Sequence, residues 1–192
     1  YKNLFEKNLF KKVEVQVVGS NKINLNISKN IQKENICVVL PEAILSECEI
    51  LFKFIIKYSK KFDNLKFIWR LHPLMNIDEI LNKLSINKKN LDNIIVSSNT
   101  DHDFLISKYS LYRGSTAIFN SIKYSSYPIY LNYADTLNID PIHDLKLTNK
   151  VNSIEEFNLM TNENFKSYNL NYLSNNVEKY FEKPNKNIVD IL

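Results

Sequence analysis

Two short groups of residues carry the side chains best suited to chemistry. The first is Trp69-Arg70-Leu71-His72-Pro73, in which a histidine follows a β-favouring run. Proline restricts the residue before it to extended geometry, so the imidazole of His72 is predicted to stand at a strand end. Arg70, two residues earlier, is predicted to point to the same side of that strand. Arg70 and Pro73 are candidate substrate-binding residues, with pairing to a surface acid as the alternative for Arg70. His72, presented at the mouth of the sheet, is the candidate catalytic residue, whereas a purely structural histidine is the alternative.

The second group is Gly114-Ser115-Thr116, which separates a β-favouring run from a helical apolar pattern. Ser115 is predicted to be the N-cap of that helix. A helix that opens directly off a strand leaves backbone N–H groups without carbonyl partners, here beside two hydroxyls. Such a helix start is a ready site for phosphate. An ordinary capped helix with no ligand is the alternative interpretation.

The elements around these groups alternate between apolar strands and amphipathic helices, which predicts a doubly wound, mostly parallel α/β sheet. The predicted strands are Ile36–Leu40, Leu65–Leu71, Asn93–Ser97, Tyr109–Tyr112 and Ile129–Leu131. Five helices are predicted. The first spans 43–61, the second begins after an Asn76 cap, and the third begins at Asp101 or Asp103. The fourth begins after Gly114 and ends at Tyr127-Pro128, and the last spans 163–182.

Ligands of such sheets bind at the carboxyl ends of the strands. That rule selects Pro41-Glu42, His72-Pro73, Ser97-Ser98-Asn99 and Gly114-Ser115-Thr116. Glu42 is predicted to cap the following helix, with a place facing an acceptor as the alternative.

The chain divides into an N-terminal strand and linker segment, residues 1–33, and a Rossmann-like domain, residues 34–192. Alternating residues at 13–18 and 23–27 predict a hairpin, or a tail that joins a preceding domain. The chain begins with Tyr rather than Met, so we expect it to be part of a longer or processed protein.

Composition narrows the classes of function. The 192 residues carry a net charge of only +4, with lysines scattered rather than gathered in a stripe, which disfavours a nucleic-acid groove. No apolar run reaches transmembrane length. We expect a cytoplasmic protein, and peripheral association with the inner membrane face stays open. Cys37 and Cys48 lie in apolar runs and are predicted to be buried, reduced thiols.

The motifs together resemble the C-terminal donor-binding domain of GT-B glycosyltransferases. A strand that ends in His-Pro, followed by strand–Gly-Ser-Thr–helix and then Pro-Ile-Tyr-Leu, is similar to the bacterial surface-polysaccharide type. That group includes capsular and lipopolysaccharide sialyltransferases, Kdo transferases and transferases that use CDP-linked donors. The likeness covers roughly residues 36–156. It implies that His72, Ser115 and Thr116 contact the donor phosphate. Many members have a glutamate that holds the ribose where this chain has Asn120, an amide that can still donate and accept hydrogen bonds.

The resemblance implies a transferase that takes a nucleotide-activated sugar, with a CMP-linked acidic sugar favoured, and passes it to a glycan or glycolipid acceptor. It implies no metal or other cofactor, and a catalytic base on an N-terminal domain. Ser97, Ser98 and Asn99 are expected near the base of the nucleotide. His143 lies in a loop that can contact the nucleotide in such a fold, but solvent exposure is favoured. Asp101-His102-Asp103 resembles a metal cluster but is read as a plain helix start.

Other functions stay open at this point. A GT-B-like sugar-nucleotide epimerase and a polyol-phosphate transferase of the teichoic-acid kind would use the same donor site. A nucleotide-binding module without chemistry of its own is the alternative outside the enzymes.

Overall fold

The computed structural model describes residues 32–87, 91, 93–97, 99–134, 136–145, 149–162 and 170–178. Within these residues the strands are β1 Glu34–Leu40, β2 Lys66–Arg70, β3 Ile94–Ser97, β4 Ser107–Tyr112, β5 Tyr127–Leu131 and β6 Lys150–Val151. The helices of the same residues are α1 Leu45–Lys61, α2 Ile77–Lys83, α3 Thr100–Ile106, α4 Ala117–Lys123, α5 Ile154–Asn162 and α6 Leu170–Glu178. A 3-10 turn spans His143–Leu145.

All six strands form one parallel sheet in the order β3-β2-β1-β4-β5-β6. The chain therefore builds outward from β1 through β2 to β3, then returns to the other side of β1 with β4. Val38 in the centre aligns with Ile68 of β2 and with Ser110 of β4. The predicted doubly wound α/β architecture is confirmed.

Alternate residues of the central strands supply two separate apolar cores. Cys37, Val39, Phe67 and Trp69 pack with α1, α2 and α5 on one face. On the opposite face, Ile36, Val38, Leu40 and Ile68 pack with α3, α4 and α6. Because both faces are covered, the strands read as continuous apolar runs. Both cysteines are buried and free, as predicted.

Several predicted boundaries differ from those observed. Tyr127-Pro128 was predicted to end a helix, but both residues belong to β5, and α4 already ends at Lys123. Ser125 adopts a positive φ of 60° and reverses the chain before the strand. Pro128 is tolerated there because β6 pairs only with Tyr130 and Leu131, further along β5. The two-residue strand β6 was not predicted at all, since it is too short to show a period.

Other sequence predictions concern residues that the structure does not describe. The hairpin or tail at 13–18 and 23–27 lies outside the described residues. Of the predicted helix 163–182, the structure describes only Leu170–Glu178, and it is helical. Among the helices of the described part, none combines the length and the apolar character needed to cross a membrane.

Candidate functional site

The sheet places its topological switch between β1 and β4. The chain leaves β1 toward β2 on one side and leaves β4 toward β5 on the other, so a crevice opens where the two strands end. Pro41 and Glu42 follow β1, and Arg113 and Gly114 follow β4. This is the strand order and the position at which open α/β sheets bind ligands. The second chemical group of the sequence, Gly114-Ser115-Thr116, therefore lies at the switch.

Glu42 lies directly against Gly114 across this crevice. A Cβ atom added to Gly114 would come within 2.6 Å of Cδ and 3.0 Å of Oε2 of Glu42. Only a residue without a side chain lets the carboxylate approach so closely. The prediction that Glu42 caps the next helix is wrong, because α1 has Ile44 at its N-cap and no side-chain cap bond.

The environment of Glu42 disfavours its negative charge. Burial raises the pKa of Glu42, and the nearby Glu47 raises it further. A backbone hydrogen bond from Gly114 and the charge of Arg113 lower this pKa by less. The Oε1 atom is buried and has no hydrogen-bond partner among the described residues. The crevice thus contains a carboxylate whose negative charge is only partly balanced by its neighbours and which lies close to the backbone of Gly114.

Arg113 is the residue of this site that the sequence analysis missed. Its side chain is only 1% exposed. Its Nε pairs with Glu47 of α1, its Nη1 donates to the Leu131 carbonyl over 2.8 Å, and its Nη2 donates to Thr136 Oγ1 over 2.9 Å. One guanidinium therefore joins the ends of β4 and β5, α1 and the loop after β5. The sequence did show a charged residue directly after a strand of buried residues, but it gave no indication of which residues Arg113 would contact.

The helix after Gly114 begins one residue later than predicted. Thr116 is the N-cap residue and makes no side-chain cap bond, so the prediction of a Ser115 cap is wrong. The first turn closes through Ile118 N to Ser115 O and Phe119 N to Thr116 O, both 3.2 Å. The hydroxyls of Ser115 and Thr116 are thus not committed to a cap. Asn120 is half-buried one turn further along α4.

His72 lies at the same edge of the sheet, two residues beyond the end of β2. Its Nδ1 accepts a hydrogen bond from Leu74 N over 3.2 Å, and its carbonyl accepts from Met75 N over 2.9 Å. An Nδ1 that accepts a bond leaves the proton of the neutral ring on Nε2, which can donate. Pro73 is exposed in the same turn. Because β2 and β4 are separated by β1, strand spacing sets about 10 Å between their ends.

The guanidinium of Arg70 packs against α3. Its guanidinium lies 5.1 Å from the centre of the Phe104 ring. Burial lowers the pKa of Arg70, and the charges of Asp103 and Asp101 partly restore it. Arg70 was predicted to point to the same side of the strand as His72. Its contacts with α3 give Arg70 a structural function.

Two of the three residues predicted to contact the nucleotide base make hydrogen bonds within the turn before α3. Ser97 Oγ accepts from Asn99 N over 3.1 Å, and Asn99 Oδ1 accepts from His102 N over 3.4 Å. Asn99 is therefore the N-cap of α3. Ser98 lies outside the described residues. This turn follows the edge strand β3, two strands from β1, so it lies at the far end of the sheet's carboxyl edge from the crevice.

The remaining polar candidates belong to α3 and to the loop after β5. Asp101 Oδ1 accepts from the Tyr124 hydroxyl over 2.9 Å, while Asp103 is buried. Within the described residues, no group of three or more His, Cys, Asp or Glu side chains is arranged to hold a metal ion. His143 is exposed, and its Nδ1 lies 3.1 Å from the Asp140 carbonyl oxygen.

Comparison with known proteins adds a distant structural likeness. No protein-family model matches the chain, and no curated protein matches it. Among solved structures, the crystal structure of UDP-N-acetylglucosamine 2-epimerase resembles it with 13% sequence identity and a TM-score of 0.43. The match covers 95% of this chain and 50% of that enzyme, so the chain spans half the length of its structural neighbour. A likeness of this degree says nothing about activity or ligand.

Proposed function

We propose that this chain is the nucleotide-sugar-binding domain of a glycosyltransferase that builds bacterial surface polysaccharide. The donor is a sugar linked to a nucleotide, with a CMP-linked acidic sugar favoured, and the acceptor is a glycan or glycolipid. The enzyme acts in the cytoplasm, at or near the inner face of the membrane. The supporting observation is that His72 and Gly114-Ser115-Thr116 stand at one edge of the sheet around its switch point.

The residue types suit the departure of a nucleotide phosphate. Negative charge grows on the phosphate oxygen as the glycosidic bond breaks, and fixed donors that meet this charge lower the barrier. His72 is oriented for this by Leu74 N, which leaves Nε2 to donate. The hydroxyls of Ser115 and Thr116, with the backbone N–H groups that precede Ile118 at the start of α4, supply further donors. No protein nucleophile is needed.

Transfer also requires a general base that takes the proton of the acceptor hydroxyl. We assign none within this domain and propose that it comes from another domain of the enzyme. A binding module without its own chemistry would have the same crevice, so binding and turnover are tested separately.

A ligand screen tests the binding part of the proposal. The purified chain is heated with CMP, CDP, UDP, GDP and their sugars, because a ligand that binds only the folded state raises the unfolding temperature. We expect cytidine nucleotides to stabilise most, and His72→Ala to weaken the effect. Lys61→Ala is the control, since Lys61 is exposed in the last turn of α1, where it pairs with Glu155. If no nucleotide stabilises the chain, the proposal fails.

Backbone amide shifts test the location. Adding CMP is expected to move the signals of Gly114, Ser115 and Thr116. Changes confined to the amino ends of the strands, such as Lys66 and Ser107, would contradict the site. Turnover is then measured on the full-length enzyme with donor and acceptor, and binding without turnover would favour the non-catalytic module.

A further inference from the structure

The carboxylate of Glu42 occupies space that a ligand phosphate at the switch point would need. It lies over Gly114, the first residue of the proposed phosphate-binding turn, and both oxygens lie within 3.0 Å of the position that a Cβ on this residue would take. Two negative groups cannot share this backbone without strong repulsion in a partly buried crevice. Either Glu42 moves, or it loses its charge, when an anion binds.

The neighbours of Glu42 do not neutralise it. From α1, Glu47 and the thiol of Cys48 face it, and Cys48 Sγ donates to the Glu42 carbonyl over 3.1 Å. Arg113, at the end of β4, is the nearby cation, but its Nε is engaged by Glu47 and its other nitrogens by Leu131 and Thr136. The guanidinium is thus shared, and two carboxylates compete for one positive charge.

We propose that Glu42 is a specificity-determining residue that competes with the donor's phosphate for the backbone at Gly114 and so limits the negative charge that the crevice accepts. This inference rests on the proposed function. In the free protein the carboxylate fills the place of the phosphate. Binding becomes tighter once Glu42 is protonated or removed. The residue therefore selects for donors whose phosphate carries a single charge and against those that carry more.

The test compares Glu42→Gln with the unaltered chain across pH. The probe is the methyl ester of CMP, a phosphodiester whose phosphate keeps a single negative charge between about pH 4.5 and pH 8. Affinity is measured by calorimetry. The informative quantity is the affinity of Glu42→Gln divided by that of the unaltered chain at each pH, because protonation of the cytosine ring affects both and cancels. Glu155→Gln is the matched control, since Glu155 is exposed and pairs with Lys61 at the far end of α1.

We expect Glu42→Gln to bind the ester about tenfold more tightly at pH 8. The ratio should fall toward one as the pH drops below the raised pKa of Glu42, where the native carboxyl is also neutral. CDP, with its additional charge, should gain more from the substitution than the ester does. Glu155→Gln should give a ratio of one throughout. Cooperative unfolding of each variant establishes that it is folded.

The outcomes separate this inference from the proposed function. If the unaltered chain binds the ester and Glu42→Gln binds equally or more weakly at pH 8, the competition is overturned while the binding site stands. If neither form binds the ester or CDP at any pH, the proposed function fails and the inference with it. Glu42→Ala, which removes the carboxyl entirely, must reproduce the tighter binding of Glu42→Gln.

Discussion

The guanidinium of Arg113 pairs with the carboxylate of Glu47 and so connects the end of β4 with the first turn of α1. Arg113 is almost fully enclosed, whereas the Glu47 side chain is 16% exposed. The pair lies directly below the crevice between β1 and β4. The position of the candidate site therefore depends on an ion pair between residues that are 66 positions apart in the chain.

Removing Arg113 should destabilise the fold strongly. Arg113→Ala leaves Glu47 without its cation and the Leu131 carbonyl without its donor, which typically costs about 3–5 kcal/mol. Arg113→Lys should lose less, because the ammonium keeps a positive charge beside Glu47. It should still be less stable than the unaltered chain, because an ammonium cannot make the three-way contact of a guanidinium. Urea unfolding measures both. Lys61→Ala, which breaks the exposed pair with Glu155, is the control and should cost about 1 kcal/mol or less. Equal losses for Arg113→Ala and Lys61→Ala would contradict the structure.

Gly114 and Glu42 should be energetically coupled. Gly114→Ala introduces a Cβ that collides with the Glu42 carboxylate, and the carboxylate must swing away. We expect a loss of about 1 kcal/mol in the unaltered background. In a Glu42→Ala background the same substitution should be close to neutral, since the colliding atoms are gone. A double-mutant cycle by urea unfolding measures the coupling. Strict additivity of the two substitutions would show that the side chains do not meet.

The free energy of unfolding should depend on pH through Glu42. Its pKa is raised in the folded protein, so the unfolded chain releases the proton first as pH increases. The native carboxyl therefore destabilises the fold at neutral pH and has no such effect below its ordinary pKa. Glu42→Gln should raise the unfolding temperature at pH 7 by about 1–3 °C, a modest change because the group is partly solvated.

Calorimetric unfolding between about pH 3.5 and pH 8 measures this dependence. The difference in unfolding temperature between Glu42→Gln and the unaltered chain should become smaller as the pH is lowered. Glu155→Gln should show no gain at neutral pH, because the pKa of Glu155 is lowered by its hydrogen bond with Lys61. A constant gap for Glu42→Gln at every pH would point to packing rather than charge.

His72→Ala should reduce turnover far more than donor binding in the full-length enzyme. The proposed Nε2 donation strengthens as charge grows on the leaving oxygen, so its loss falls mainly on the transition state. One lost donor of this kind typically lowers the rate about 10²–10³-fold. Ser115→Ala should lose less, since backbone N–H groups remain beside it. Steady-state kinetics with donor and acceptor measure both variants.

One outcome of the same kinetic experiment would contradict this prediction. If His72→Ala retains near-normal turnover with an intact circular dichroism spectrum, His72-Pro73 is only a structural strand end. The proposed mechanism would then lose its principal donor, and Gly114-Ser115-Thr116 alone would not sustain it.

Local pattern was enough to predict five of the six strands in the described part of the chain and the α/β class. Continuous apolar runs are required of strands that are buried on both faces, and the helices between them force a parallel connection. Local turn chemistry also predicted the Asn76 cap, whose side chain accepts from Asp78 N over 2.9 Å. These features depend on residues that are close together in the sequence, so periodicity and capping rules can predict them.

Contacts between distant segments were decided only by the tertiary structure. Nothing in the spacing of Glu42, Glu47 and Arg113 indicates that the three share one crevice, because strand order brings them together. The direction of Arg70 was likewise settled by packing, since Phe104 and the α3 acids hold its guanidinium on their face. The sequence by itself predicted which residues could bind an anion. Only the strand order β3-β2-β1-β4 decided that the Glu42 carboxylate lies against one of them, Gly114, because it brings the ends of β1 and β4 together.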